Sequence, residues 1–291
     1  MRPRAFSYSA PATITEAVAT LQRFGGEARV LAGGQSLVPM MKLRVASPQH
    51  IVDINRISGL DDIRVDNGKL VIGTLATHDA IENSPLVRAE CPLLAETAGH
   101  IADPLVRNRG TIGGSLCHAD PAADFPLAAI VLKAELIAQG PKGTRTIAAD
   151  DFFVGFLTTA LAPDEILTAI RIPRAQALSG GAHMKVSRRT NGLAMVAAAA
   201  AVVLDEDGHC MDVGVCVGAM GLTPIRAKAV ENEIRGKRID EAAISRAAEL
   251  AIEGTDPPSD IHGSAKYRLT VAPTVAARVL QLACERAGAR L

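Results

Sequence analysis

Two glycine-rich segments hold the residues best suited to chemistry. In Ala32-Gly33-Gly34-Gln35-Ser36-Leu37 a glycine pair separates a short apolar run from a helix-compatible stretch. Backbone amides there can approach an anion closely, and a helix start adds partial positive charge. The second segment, Arg107-Asn108-Arg109-Gly110-Thr111-Ile112-Gly113-Gly114-Ser115, adds hydroxyls at Thr111 and Ser115 and leads to Asp120 and Asp124. Two such loops can grip the two phosphates of a dinucleotide while a nearby carboxylate accepts from ribose hydroxyls. Neither segment fits G-x-G-x-x-G or G-x-x-x-x-G-K-[ST], which disfavours a standard Rossmann site or P-loop. Each feature also has a plainer reading. A glycine pair turns a chain, and Asp120 beside Pro121 serves equally well as a cap.

Other chemistry is narrowed by what the 291 residues lack. Five cysteines (Cys91, Cys117, Cys210, Cys216, Cys284) are scattered without a C-x-x-C pair, and seven histidines form no H-x-x-x-H cluster, so no protein-bound metal is expected. Redox chemistry would need an organic cofactor. Cys117 and His118 follow the second loop, and His78 reads as a structural histidine. Arg107 and Arg109 read as loop anchors or as bridges to phosphates or subunits. Lys plus Arg (31) balances Asp plus Glu (31), and aromatic residues are only 3%, which argues against a nucleic-acid binder. The longest apolar run, Leu193 to Leu204, has twelve residues against the roughly 20 a spanning helix needs. Met1 to Ala10 lacks the apolar core of a secretory signal, and the expectation is a cytoplasmic protein.

The elements that would position these loops read as mixed helix and strand. Ala17, Val18, Leu21 and Phe24 recur at helical spacing over Ile14–Phe24, with Thr13 or Thr15 as cap and Gly25-Gly26 as stop. Ala28 to Ala32, His50 to Ile54, Lys69 to Gly73 and Glu165 to Ile172 read as strands, and Leu37 to Arg44 as helix. Thr77 to Ala98 is helical with interruptions at Pro85 and Pro92. The aperiodic stretch Arg174 to Gly181 reads as a linker, placing a boundary near 177. Beyond it, Asp205-Glu206-Asp207-Gly208 joins two apolar runs as a hairpin, followed by helices over Ile239–Ile252 and Val271–Ala287.

AGGQSLVP at 32–39, Met41-Lys42-Leu43-Arg44, Val52-Asp53, RNRGTIGGS at 107–115, Ala119-Asp120-Pro121-Ala122-Ala123-Asp124 and Gly263-Ser264-Ala265-Lys266-Tyr267-Arg268 together span essentially the whole chain. In these motifs the chain resembles the flavin-binding medium subunit of the molybdenum hydroxylases, the family of carbon monoxide dehydrogenase and xanthine dehydrogenase. The resemblance implies an α+β fold: a two-lobed PCMH-type FAD-binding domain over residues 1–177, then a small α+β C-terminal domain, a sheet with helices, over 178–291. It assigns Ala32, Gly33, Gly34, Gln35, Ser36 and Leu37, with Thr111, Ile112, Gly113, Gly114 and Ser115, to the two pyrophosphate-binding loops. Asp124 would contact the AMP half of FAD, Lys185 would reach the flavin side, and Ile101 and Leu167 would pack on the cofactor.

The activity implied is electron transfer. Substrate would be oxidised at a molybdenum cofactor on a large subunit, and electrons would pass through two iron-sulfur clusters on a small subunit to this chain's FAD and an external acceptor. No catalytic residue for substrate is expected here, and a dimer of heterotrimers is the implied assembly. Two competing readings are a stand-alone FAD-dependent oxidoreductase of the PCMH superfamily and a nucleotide-binding assembly protein without turnover. The substrate and the acceptor are left open, since carbon monoxide, an aldehyde, an N-heterocycle or an aromatic acyl thioester would bind elsewhere. From the loops alone, Gly33→Val and Gly114→Val are both expected to abolish FAD retention in a folded chain.

Overall fold

The computed structural model describes residues 2–289. The chain opens with a small lobe of three parallel strands, β1 (Ser7–Ser9), β2 (Ala28–Leu31) and β3 (His50–Asp53), in the order β1-β3-β2. Helix α1 (Ile14–Phe24) is capped by Thr13, whose hydroxyl accepts from Glu16 N at 3.2 Å, while Glu16 reaches back to Ala12 N at 2.9 Å. This reciprocal cap fixes the helix start. Ala17, Val18 and Leu21 then bury one face in a core shared with Val52 and Ile54. Helix α2 (Leu37–Lys42) follows the first glycine loop and is shorter than expected, ending before Arg44, which takes φ +60°.

The second lobe is a five-stranded antiparallel sheet of β4 (Ile63–Asp66), β5 (Lys69–Gly73), β6 (Glu135–Gly140), β7 (Gly143–Ala148) and, after the two short strands β8 (Phe153–Gly155) and β9 (Thr158–Thr159), β10 (Ile166–Pro173), in the order β4-β5-β10-β6-β7. Between β5 and β6 run α3 (His78–Asn83), α4 (Pro85–Glu90), α5 (Pro92–Gly99), α6 (Pro104–Arg107), α7 (Ile112–His118) and α8 (Asp124–Val131), with α9 (Ala149–Phe152) after β7. Pro85 and Pro92 each open a helix, so the expected interruptions are helix starts, where a missing N–H costs nothing.

The third sheet, β11 (Ser179–Ser187), β12 (Ala194–Leu204), β13 (Cys210–Gly218) and β14 (Ile225–Arg226), is antiparallel and carries α10 (Lys228–Ile234), α11 (Glu241–Glu249) and α12 (Ala265–Arg286). The alanine run of β12 lies between two cores. Ala197 and Ala199 join the core of the preceding helices, and Val196, Ala198 and Ala200 join the one beneath α12. A strand buried on both faces has no polar alternation, which is why this segment reads as a continuous apolar run.

Two boundaries differ from expectation. Gly180 and Gly181 lie inside β11 rather than in a linker, because neighbouring elements press against them. A Cβ at Gly180 would stand 2.1 Å from Ala283 O, and one at Gly181 would stand 3.0 Å from the Leu93 side chain. Helix α12 begins at Ala265 rather than Val271, since Ser264 accepts from Tyr267 N at 3.2 Å and caps it, and Pro273 is accommodated within the helix.

Candidate functional site

The first glycine loop leaves β2 at the carboxyl end of the parallel sheet, where ligands of such sheets bind. Among the described residues, the amides of Gly33, Gly34, Gln35 and Ser36 have no acceptor. Gly34 takes φ +76°, which a side chain would resist. The loop is fixed from beneath. Asn55 Nδ2 donates to Ala32 O at 3.0 Å and to Asp53 Oδ1 at 2.6 Å, and Tyr8 Oη donates to Asp53 Oδ2 at 2.7 Å. Helix α2 has only six residues, so the anion-binding capacity rests on the loop's own amides.

The second loop lies directly against the first. A Cβ at Gly33 would meet Arg109 O at 1.9 Å, and one at Gly114 would lie 3.8 Å from Ala32 Cβ. Its amides, however, are engaged internally. Ile112 N donates to Ala76 O at 3.0 Å, Gly113 N to Thr74 O at 2.9 Å, Gly114 N to Thr111 Oγ1 at 3.1 Å and Ser115 N to Thr111 O at 3.0 Å. The two loops are therefore unequal in the amides they leave free. One loop presents free amides, and the other buttresses it while offering the half-buried Ser115 hydroxyl, which has no hydrogen-bond partner among the described residues. Gly113 is required by packing, since a Cβ there would stand 1.7 Å from Thr74 Oγ1. Arg107 anchors the segment, pairing with Glu82 at 2.9 Å and donating to Ile101 O and Ala102 O.

Asp124 and Lys185 meet, joining α8 to β11: Lys185 Nζ donates to Asp124 Oδ2 at 2.8 Å, with Asp124 only 4% exposed. His183 Nε2 stands 3.3 Å from Asp124 Oδ1. Burial alone would raise the Asp124 carboxyl, but the hydrogen bonds and charges of His183 and Lys185 outweigh it and hold the group below its usual range. His183 Nδ1 in turn lies 3.1 Å from His100 Nδ1. The sequence reading missed His183, His100 and Asn55. An isolated histidine or asparagine carries no motif, and only the tertiary fold brings these partners together.

The remaining residues are placed differently. Ile101 is half-buried after α5 against the apolar core. Leu167 is 2% exposed within that core on β10, beside Thr168, whose carbonyl accepts from Thr74 N at 3.0 Å. It supports the strand behind Gly113 rather than facing an open surface. His78 is buried against Phe125, and burial pushes its imidazole down to about 4. Burial pushes the Cys117 thiol up to about 12, so it is no thiolate at neutral pH. Among the described residues, one His/Asp group converges, Asp205, Asp207 and His209, and there Asp205 Oδ1 is taken up by the amides of Asp207 and His209 in a hairpin turn.

Free amides at the carboxyl end of a parallel sheet, buttressed by a second glycine loop, define a protein built to hold a phosphorylated cofactor. Residues 4–175 match the family described as the FAD binding domain in molybdopterin dehydrogenase, and residues 182–283 match the CO dehydrogenase flavoprotein C-terminal domain. The chain belongs to this molybdopterin dehydrogenase FAD-binding family. A structure of carbon monoxide dehydrogenase from Hydrogenophaga pseudoflava is 40% identical, with a TM-score of 0.96, covering 98% of this chain and 99% of that one. Quinoline 2-oxidoreductase from Pseudomonas putida 86 is 36% identical with a TM-score of 0.92, covering 99% of each chain. The 6-hydroxypseudooxynicotine dehydrogenase complex subunit alpha of Paenarthrobacter nicotinovorans is 38% identical, with 99% of this chain and 97% of that one covered. The fold is accordingly the α+β arrangement of an FAD-binding region followed by the smaller C-terminal sheet with its helices.

Proposed function

We propose that this chain is the FAD-binding electron-transfer subunit of a molybdenum hydroxylase. The observation that carries the reading is the run of unpaired amides from Gly33 to Ser36, clamped by Asn55 on one side and by Arg109 on the other. Such a cradle fits a diphosphate, with Ser115 as an added donor. In this reading Ala32–Leu37 hold the diphosphate directly. Thr111, Ile112, Gly113 and Gly114 keep the second loop in place, Ile101 borders the cofactor region, and Leu167 acts through packing. Asp124 and Lys185 form a joined charge pair at the junction of the two regions, divided near residue 177.

Bound FAD would accept electrons from a partner subunit and release them to an external acceptor. The chain's task is to fix the phosphates and surround the ring with oriented charge. Its five cysteines are all free, and with no C-x-x-C pair in the sequence the iron-sulfur clusters fall to a small partner and the molybdenum cofactor to a large one. The relatives' names as medium chains and complex subunits support that division of labour. A dimer of heterotrimers in the cytoplasm is the finer form of the proposal. No helix among the described residues is long and apolar enough to cross a membrane.

The test is the visible spectrum of the protein purified from its host, with co-purifying chains weighed by mass spectrometry. An oxidised-flavin spectrum, one large and one small partner, and bound iron and molybdenum are expected. A chain that takes up no FAD on reconstitution overturns the reading, and substrate oxidation by the isolated chain favours the stand-alone oxidoreductase.

A further inference from the structure

We propose that Asp53, braced by Tyr8, is a positioning residue that orients the side-chain amide of Asn55 and thereby aims the Gly33 N–H into the anion cradle. The identity of the anion rests on the cofactor reading above. Asp53 ends β3, and Asn55 follows two residues later with two Nδ2 protons to give. One goes to Asp53 Oδ1 at 2.6 Å and the other to Ala32 O at 3.0 Å. Asp53 Oδ1 also accepts from Asn55 N at 2.9 Å, and Tyr8 Oη, on the neighbouring strand β1, donates to Oδ2 at 2.7 Å. Both carboxylate oxygens are thus occupied. Burial pushes the Asp53 carboxyl up, but the hydrogen bonds from Tyr8 and Asn55 outweigh it and hold the group below its usual range.

Two features of the groups turn this network into an aiming device. An asparagine amide has nearly the same outline either way round, with donors on one side and an acceptor on the other. The acceptor at Asp53 decides between them: Nδ2 faces the carboxylate, so Ala32 O meets a donor rather than a second oxygen. Ala32 O and the Gly33 N–H belong to one trans peptide and point in opposite directions. With the carbonyl held by Asn55, the Gly33 N–H, which has no acceptor among the described residues, is turned away from Asn55. Because glycine follows it, this peptide rotates readily once the hold is lost, and rotation would put a carbonyl oxygen where the anion's oxygens belong. The charge of Asp53 works against binding, since a carboxylate behind an anion site repels what the site holds. Arg56, whose charge also reaches Asp53, offsets part of that repulsion. What Asp53 contributes to the cradle is therefore geometry, not charge.

Two substitutions at this one position separate geometry from charge. Asp53→Ala removes both the acceptor and the charge. Asp53→Asn removes the charge alone, because the new amide keeps an oxygen toward Asn55 and turns its nitrogen to Tyr8 Oη, which accepts. In fluorescence titration of the cofactor-free protein with FAD, Asp53→Ala should bind about tenfold more weakly, as one misdirected amide warrants, and Tyr8→Phe about threefold. Asp53→Asn should bind as tightly as the unaltered protein or more tightly. In an Asn55→Ala background Asp53→Ala should weaken binding no further, since the group it acts through is gone. Unaltered or tighter binding by Asp53→Ala, equal weakening by both Asp53 variants, or an additive loss in the Asn55→Ala background overturns the proposal. A second readout needs no cofactor. In the cofactor-free chain labelled with 13C and 15N, Asp53→Ala should move the Ala32 carbonyl and Gly33 amide resonances as Asn55→Ala does, and Asp53→Asn should leave them in place. Resonances that Asp53→Ala does not move overturn the proposal as well. A chain that shows this pattern yet takes up no FAD overturns the cofactor reading alone.

Discussion

Replacing Gly33 with alanine tests whether the two glycine loops work as one interlocked unit. The added Cβ would lie 1.9 Å from Arg109 O, 2.8 Å from Arg109 C and 3.0 Å from Gly110 Cα, all backbone atoms. Ordinary contact requires the loops to part by at least about 1 Å. That movement strains the bonds holding the second loop, His78 N to Gly110 O at 2.9 Å and Ile112 N to Ala76 O at 3.0 Å. Overpacking against backbone costs about 1–3 kcal/mol of stability. Misdirecting one charge-assisted amide bond to a phosphate costs about 1.5–3 kcal/mol more, or about a ten- to hundredfold loss in FAD affinity. Gly114→Ala is the control. Its Cβ meets only the Thr111 hydroxyl within 3 Å, at 2.8 Å, and an ordinary 3.8 Å contact with Ala32, so a side chain yields and the loops stay put. Its cost should be about 1 kcal/mol, that of a weakened helix cap. The expectation of equal losses from Gly33→Val and Gly114→Val is thereby replaced by a strong asymmetry. Fluorescence titration of each cofactor-free variant with FAD, alongside urea unfolding, measures both quantities. Equal affinities for the two alanine variants would refute the interlocked-loop account.

Asn55→Ala removes the donor to Ala32 O and should weaken FAD binding up to about tenfold while leaving the unfolding midpoint nearly unchanged, as one exposed hydrogen bond warrants; unchanged affinity by the same titration would mean the loop holds itself. Asp124→Asn leaves the Lys185 charge buried without its counter-ion and should cost about 3–5 kcal/mol in urea unfolding. Because Asp124 sits below its unfolded value, the stability it gives is present above about pH 4 and lost as the pH falls through its folded value. His78 has the matching acid sensitivity: unfolded it takes a proton near pH 6.5, and folded only near about 4. Its burial should therefore remove about 3 kcal/mol of stability between those values on acidification. A His78→Gln variant with the same stability-against-pH slope over that window would show that another group is responsible.

The short-range code of this protein was legible where one segment decides its own structure. Thr13, Glu16 and Gly25 delimit α1 because caps and stops act within a turn, and Pro85 and Pro92 mark helix starts for the same reason. The glycine loops were legible as loops, but not as an unequal pair. Whether the amides of Ile112 and Gly113 are free depends on Ala76 and Thr74, some forty residues away in sequence from the second loop and placed only by the sheet. The same holds for Gly180 and Gly181, which look like a linker until α12 and Leu93 are set against them, and for the alanines of β12, whose alternation exists between two cores rather than between core and solvent. His183 is the sharpest case. Flanked by Ala182 and Met184 it has no local signature, yet it completes the bridge from Asp124 to His100, because β11 carries it across the junction between the two regions. Backbone geometry in the cradle is thus written locally, while the charge arrangement around it is a property of how the regions meet. For that reason, substitutions at the junction should alter protonation and stability without touching the amides of Gly33 to Ser36, and substitutions in the loops should do the reverse.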